Sequence, residues 1–415
     1  MFDLSSNFQG CEGKRKGKIW QLLRATNFES LMYPCFTFCR ILGILPYKIN
    51  ALTIETCKTY RILSIIVICL FCVYELLLFY DINFGNNIIK NIPIKLERNC
   101  YYFLNGFTTI VTFILCGPRM RLLQTIREIS LRLPQKSYQN LSRLIHTKDI
   151  FGFFYIIVQI SIFAYKFQYA VSYYIFTTYI HLLVFQMDML HMNCVCVLKA
   201  CFKQINDNLD YLRKHMTNGE PHFLSKTYHK QTNPFVVMQL KVLMKQHLAI
   251  SDTVQMLIMN FSLQFLSTII MAFIEITFNL YYYLVQVQKD VFVDDQIKQV
   301  FNEVFVTAVM YETVKIVLIV WACQSGKNQI LEINTTVRDM YNSTSNKDVK
   351  YELQLFSLQL MHRDNIFSTK VLIVDATLLT TMVYGISMYL LILIQFFLMT
   401  NSCNKKTNFT NVEVY

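Results

Sequence analysis

The chain has 415 residues, 54% of them hydrophobic and 14% aromatic, with only 16% charged and a formal net charge of +12. A soluble domain carries about a quarter charged residues, and here the apolar residues fall in long blocks, so an ordinary soluble protein is excluded and an integral membrane protein is expected. No Gly-rich phosphate loop, nucleophile elbow or metal-ligand spacing occurs, so neither an enzyme, a cofactor, a bound metal nor a nucleic-acid partner is expected.

The N-terminal stretch MFDLSSNFQGCEGKRKGK is basic but has no apolar core behind it, so no cleaved signal peptide is expected and the first span directs insertion. A helix needs about 20 apolar residues to cross the hydrocarbon. Seven stretches qualify: 60–80, 99–117, 149–166, 170–198, 254–287, 299–323 and 370–400. Thirty of the 39 lysines and arginines lie in the N-terminal segment and the second, fourth and sixth loops, against eight on the opposite side. Basic residues stay in the cytosol, so the N-terminus is cytosolic and the C-terminus extracellular. Most of the 13 cysteines then sit in spans or in the cytosol, which argues against a disulfide framework. The inverted orientation, with no Asp-Arg-Tyr after the third span and no Asn-Pro-x-x-Tyr in the seventh, argues against a G-protein-coupled receptor.

The fourth and fifth spans overrun the membrane. The fourth continues through VLKACFKQINDNLDYLRKH to Gly219 and Pro221, and the fifth starts in VVMQLKVLMKQHLAISDTVQML. Before the seventh span, DVKYELQLFSLQLMHRD places Val349, Leu353, Phe356 and Leu360 at four-three-four spacing, with Leu355 and Leu358 widening the stripe. Two readings fit: a helix lying on the membrane surface, or a cytosolic bundle with the overrunning helices. Acidic residues mixed into the polar face favour the bundle. The chain is therefore expected to be an all-α membrane protein with seven transmembrane helices. The divisions are a cytosolic segment (1–58), spans one to four (59–200), anchor helices and loop (201–253), spans five and six (254–323), an anchor helix (324–369), the last span (370–402) and an extracellular tail (403–415).

The last span carries its own pattern. Thr377, Thr381, Tyr384, Met388, Leu391 and Gln395 are spaced four, three, four, three, four, and so share one narrow helix face. Polar atoms on that face either bind helices within one subunit, at about 0.6 kcal/mol per hydrogen bond, or line a pore where copies of the face meet around an axis. The chain closes with Met388-Tyr389, then LLILI, then Gln395-Phe396. This resembles the insect gustatory receptor family, whose seventh helix ends in Thr-Tyr, five apolar residues and Gln-Phe; Met388 departs from that pattern. The stretch ELQLFSLQLMHR, residues 352–363, is also similar to that family's helix before the seventh span, and Asp375 ahead of LL in VDATLLTTMVYG is similar to the family too.

The resemblance implies a ligand-gated cation channel in the plasma membrane of a chemosensory neuron, related to insect odorant receptors and needing no G protein. It implies a homotetramer, or a heterotetramer with related receptors, held among membrane lipids by a cytosolic anchor. The seventh helices would surround the pore, with Gln395 and Phe396 at the gate, Leu391, Met388 and Tyr384 along the same face, and Tyr389 supporting the helix from behind. A small tastant, sugar or bitter-type, would enter an outward pocket between spans two to six of each subunit and open the path for cations. The outer halves of those spans supply Tyr102, Asn105, Tyr173, Tyr174, Thr177, His181, Glu275, Asn279, Tyr282 and Glu303 as candidate contacts. Among them Glu275 and His181 are ionisable groups within spans, which rarely lack a purpose. Glu312 and Lys315, three apart on the sixth span, are expected to pair. The competing reading is a secondary transporter using Glu275, Glu312, Lys315 and Asp188; seven spans without a visible repeat weigh against it.

Overall fold

The computed structural model describes residues 25–45, 47–49, 54–56, 58–85, 92–166, 171–218, 226–289, 295–363 and 374–410. Ten helices and a short antiparallel pair make up the described residues: α1 (Phe28–Ile41), β1 (Tyr47–Ile49), β2 (Ile54–Thr56), α2 (Lys58–Phe84), α3 (Ile92–Ile114), α4 (Cys116–Ser130), α5 (Gln135–Lys166), α6 (Val171–Asn218), α7 (Lys226–Lys289), α8 (Asp295–Ser343), α9 (Lys347–His362) and α10 (Ala376–Thr410). Six of the helices are long and apolar enough to cross a membrane alone, and the bent pair α3–α4 makes the seventh span. Most of the first division, 1–58, lies outside the described residues, as do the loop after α6 and the last residues of the tail.

Local chemistry sets where several helices start and stop. Asn27 caps α1: its side chain accepts from the Ser30 N–H at 2.8 Å, and the Ser30 hydroxyl accepts from the Asn27 N–H at 3.2 Å. Gly43, at φ +71°, follows the C-cap and lets the Ile44 N–H reach back to the Cys39 carbonyl at 2.8 Å. Asn346 caps α9 by accepting from the Asp348 and Val349 N–H groups. The Cys116-Gly117-Pro118 sequence lacks the N–H that would continue the helix, and α3 and α4 meet there at 60°.

The helical content of the N-terminus was not expected from the sequence. The apolar face of α1, with Phe28, Leu31, Met32, Cys35 and Cys39, is buried against α5 and α6. His146 of α5 meets the Leu31 carbonyl at 3.0 Å, Gln186 of α6 donates to the Cys35 carbonyl at 3.1 Å, and Arg127 pairs with Glu29 at 2.6 Å. Residues 118–148, expected as a loop, are the helix α4 and the first turns of α5. The last helix is also longer than expected, with its backbone helical to Thr410.

Long helices carry the core. At about 1.5 Å per residue, α6 and α7 reach roughly 70 and 95 Å, far beyond the hydrocarbon thickness of about 30 Å. Where they leave the apolar region they form a bundle with α8 and α9, burying Phe202, Leu209, Leu240, Leu243, Val337 and Met340. From α9, Val349, Leu353, Phe356 and Leu360 enter this core. Each contributes about 1.5–3 kcal/mol of apolar burial, so the bundle reading holds over the surface helix. Leu355 and Leu358 instead remain exposed on the outer side of α9. His247, fully buried, sits between the Phe202 and Phe356 rings, and Gln359 Nε2 lies 3.1 Å from its Nδ1. In the apolar zone α6 is central, with 83% of its apolar window buried, whereas only 6% of the window of α10 is buried.

Candidate functional site

Two places combine polar atoms with the apolar zone. The first is a cavity of about 50 Å³ between α3, α5, α6, α7 and α8. Asn105, His181 and Glu275, three of the predicted contacts, line it together with Tyr101, Gln159, Tyr311, Glu312 and Lys315. Glu312 and Lys315 pair at 2.6 Å, as their spacing on one helix predicts. The Lys315 Nζ also lies 5.0 Å from the centre of the Tyr311 ring. On α6, His181 Nδ1 donates to the Thr177 carbonyl at 2.8 Å, which leaves Nε2 as the acceptor of the neutral ring. Glu275 receives Asn279 Nδ2 at 3.4 Å, and the same amide donates to the Glu275 carbonyl at 2.7 Å. Asn279 thus bonds mainly to its own helix, reaches the carboxylate only at the long end of hydrogen-bond distance, and does not line the cavity.

The other candidates go elsewhere, for physical reasons. Tyr102 packs edge-on against Tyr101, and its ring lies 6.4 Å from Phe176 within a cluster of α2, α3 and α6. Tyr173 and Tyr174 meet at 6.2 Å, and Tyr174 donates to the Ala164 carbonyl at 3.4 Å. Thr177 uses its hydroxyl on the Tyr173 carbonyl of its own helix. Tyr282 stacks on Phe278, and Glu303 is exposed. Successive positions of a helix point about 100° apart, so a run of tyrosines cannot all face one cavity.

Polar residues outside the candidate set had a signal in the sequence. Glu75 interrupts CVYELLLF in the first span and Gln159 interrupts YIIVQISIF in the third; an intramembrane polar group is a functional candidate by default. Glu75 is buried against Gly106, which leaves no room for a β-carbon beside the carboxylate. Deeper, Asp188 is buried on α6 and accepts from the Thr268 hydroxyl at 3.2 Å. Arg119 of α4, also fully buried, donates through Nη2 to Gln264 Oε1 at 2.8 Å and through Nε to the Asn260 carbonyl at 3.1 Å, with its guanidinium 4.7 Å from the Phe261 ring centre.

The second place is the last helix. Leu378, Met382 and Ile386 of α10 are buried on α7 and α8. The face carrying Thr377, Thr381, Tyr384, Met388, Leu391 and Gln395 is exposed along its length, Tyr384 by 73% and Leu391 by 61%. Tyr389, half exposed, meets Phe273 edge to face at 5.7 Å, and Phe396 is exposed to a similar degree. A helix with one face packed at home and a bare face on which four of six positions carry a polar atom suits association around an axis.

Residues 32–400 match the family model described as "7tm Chemosensory receptor". The chain belongs to the 7tm chemosensory receptor family. Its fold is similar to the insect olfactory receptor OR5 from Machilis hrabei in complex with eugenol, with a TM-score of 0.65 and 11% identity over 88% of this chain and 97% of that one. The OR5 structure solved without eugenol is similar with a TM-score of 0.64 and 12% identity, over the same shares of the two chains. Among curated proteins, no sequence matches the chain. At these identities the likeness speaks to the chemosensory-receptor fold, and the seven-span reading agrees with it.

Proposed function

We propose that this chemosensory receptor is a gustatory receptor acting as a ligand-gated, non-selective cation channel of the plasma membrane of a chemosensory neuron. It assembles as a homotetramer or as a heterotetramer with related receptors. A small tastant enters the cavity between α3, α5, α6, α7 and α8, and the tilt of α7 and α8 is passed to α10. Permeation needs no G protein and no chemical step. The observation that carries this reading is the bare face of α10, where four of six positions bear a polar atom although the opposite face packs as an ordinary apolar helix. The Thr377 and Thr381 hydroxyls bond within the start of the helix, but facing lipid the Tyr384 hydroxyl and the Gln395 amide would gain nothing; facing copies of themselves, they line a wet path that Leu391 and Met388 interrupt. The Gln-Phe ending supports the gustatory reading, the family membership supports a chemosensory receptor, and the pairing of Glu312 with Lys315 at 2.6 Å weighs against a transporter that would use both as carriers.

Patch-clamp recording from cells expressing the full chain tests this. Steady unitary cation currents are expected, and Gln395→Ala should change permeation or gating. Unchanged conductance, selectivity and ligand threshold in Gln395→Ala would remove that face from the pore.

A further inference from the structure

The cavity beneath the outer ends of α3 and α7 has an imbalance of charge and of hydrogen-bonding groups. Glu275 reaches into it, and among the described residues no lysine or arginine stands at ion-pair distance from it. The cavity's own cation, Lys315, is committed to Glu312 at 2.6 Å. Glu275 has only the Asn279 amide, at 3.4 Å. Around it stand further acceptors: Gln159 Oε1, which has no hydrogen-bond partner, and the ring of His181, whose Nδ1 is spent on Thr177. Asn105, 5% exposed, adds an amide Nδ2 that is buried at the cavity without a partner. Buried polar atoms are ordinarily paired, and a group left over in a native cavity calls for a missing ligand.

The geometry points to a small protonated amine as the ligand of this cavity, its ammonium held by Glu275. The inference rests on the reading of the cavity as the ligand site and adds its chemical class. A polyol would meet the acceptors but bring no positive charge to Glu275, and a desolvated carboxylate without a cation is costly and gives way to the neutral acid. An ammonium satisfies Glu275 by a charge-assisted hydrogen bond, in a cavity whose lining also includes the aromatic side chains of Tyr101 and Tyr311. A cavity of about 50 Å³ admits a head group of a few heavy atoms, so the amine is small or carries a slender tail.

The full chain, purified into nanodiscs at pH 7.4, can be melted with matched pairs of probes: pyrrolidine with cyclopentanol, piperidine with cyclohexanol, isobutylamine with isobutanol. Each amine should stabilise the protein at a concentration at least about tenfold below its alcohol, since ligand bound only to the folded state raises the melting temperature. Glu275→Gln should bring that ratio close to one; if that variant does not fold, Glu275→Asp, which withdraws the carboxylate by one methylene, should lower it. Equal potency of the alcohols, with Ala308→Phe abolishing both series by filling the cavity, overturns the amine inference and leaves the cavity reading standing. Stabilisation that Ala308→Phe leaves intact overturns both, and so does the absence of any shift with either series.

Discussion

Phe273 of α7 meets Tyr389 of α10 edge to face, with ring centroids 5.7 Å apart and planes at 86°. One turn earlier on α10, a β-carbon at Gly385 would stand 3.0 Å from Cε2 of the same Phe273 ring. Two positions of the last helix thus close on one ring of the neighbouring helix, on the side away from the bare polar face. Such an aromatic pair contributes about 0.5–1.5 kcal/mol beyond its burial. In a double-mutant cycle of Phe273→Ala and Tyr389→Ala, the coupling measured from melting of the solubilised chain should fall in that range. If α10 lines the proposed channel, both single variants should also shift the concentration of ligand that half-opens it, since they loosen the support of α10. A cycle with no coupling would reduce the pair to mere proximity.

Glu312 and Lys315 form an ion pair at 2.6 Å with both side chains largely buried. Removing one partner leaves an uncompensated charge, which costs about 3–5 kcal/mol for a buried pair. Glu312→Gln and Lys315→Met should each lower the melting temperature strongly, whereas the double variant should recover most of the loss. If the double variant is as unstable as the sum of the singles, the two side chains act on separate partners.

Much of the architecture was legible in the sequence because bilayer physics leaves few choices. The apolar blocks marked the spans, and the four-three-four spacing of Val349, Leu353, Phe356 and Leu360 marked the buried stripe of α9. Residues 28–41 were not read as a helix, because their helical signal is a capping box, Asn27 with Ser30, on a short amphipathic stretch beside a much stronger hydropathy signal. Leu355 and Leu358 were assigned to the α9 stripe on composition, but their angle around the helix turns them outward. The site was legible only in part. Asn105, His181 and Glu275 could be picked out as polar residues at the right depth. Gln159 and Tyr311 join them only because α5 and α8 pack beside α6 and α7, a relation between helices that periodicity within each helix does not contain.

Arg119 offers a test of the polar layer below the cavity. Its fully buried guanidinium is held by the Gln264 side chain and the Asn260 carbonyl rather than by a carboxylate. Gln264→Leu keeps the volume of the side chain but removes the acceptor, and leaving a buried donor unsatisfied costs about 1–3 kcal/mol. The melting temperature should fall accordingly. Arg119→Lys should not substitute, because a single ammonium cannot reach two acceptors in the planar fork that Arg119 uses, nor lie flat on Phe261. Equal stability of Arg119→Lys and the natural chain would show that only the charge at this position matters.

Asp375 stands just before α10, where it accepts from the Thr377 N–H at 3.0 Å and the Thr377 hydroxyl at 2.5 Å, and faces Lys327 of α8 at 3.9 Å. The Thr377 hydroxyl first of all, with the Thr377 N–H, Lys327 and the Leu378 N–H adding to it, holds the Asp375 carboxyl below the usual carboxylate range against the opposing effect of desolvation. A carboxyl depressed in the folded state adds stability that is fully present above its unfolded pKa and is lost as pH falls through the folded value. The stability difference between the natural chain and Asp375→Ala should therefore be constant from neutral pH down to about pH 5 and shrink only below the ordinary carboxylate range. Asp375→Asn should retain part of the effect, because an amide oxygen also caps a helix but cannot pair with Lys327. Melting curves of the three chains across that range check the sign. A difference that grows as pH falls would show that the cap is not made by the ionised carboxylate.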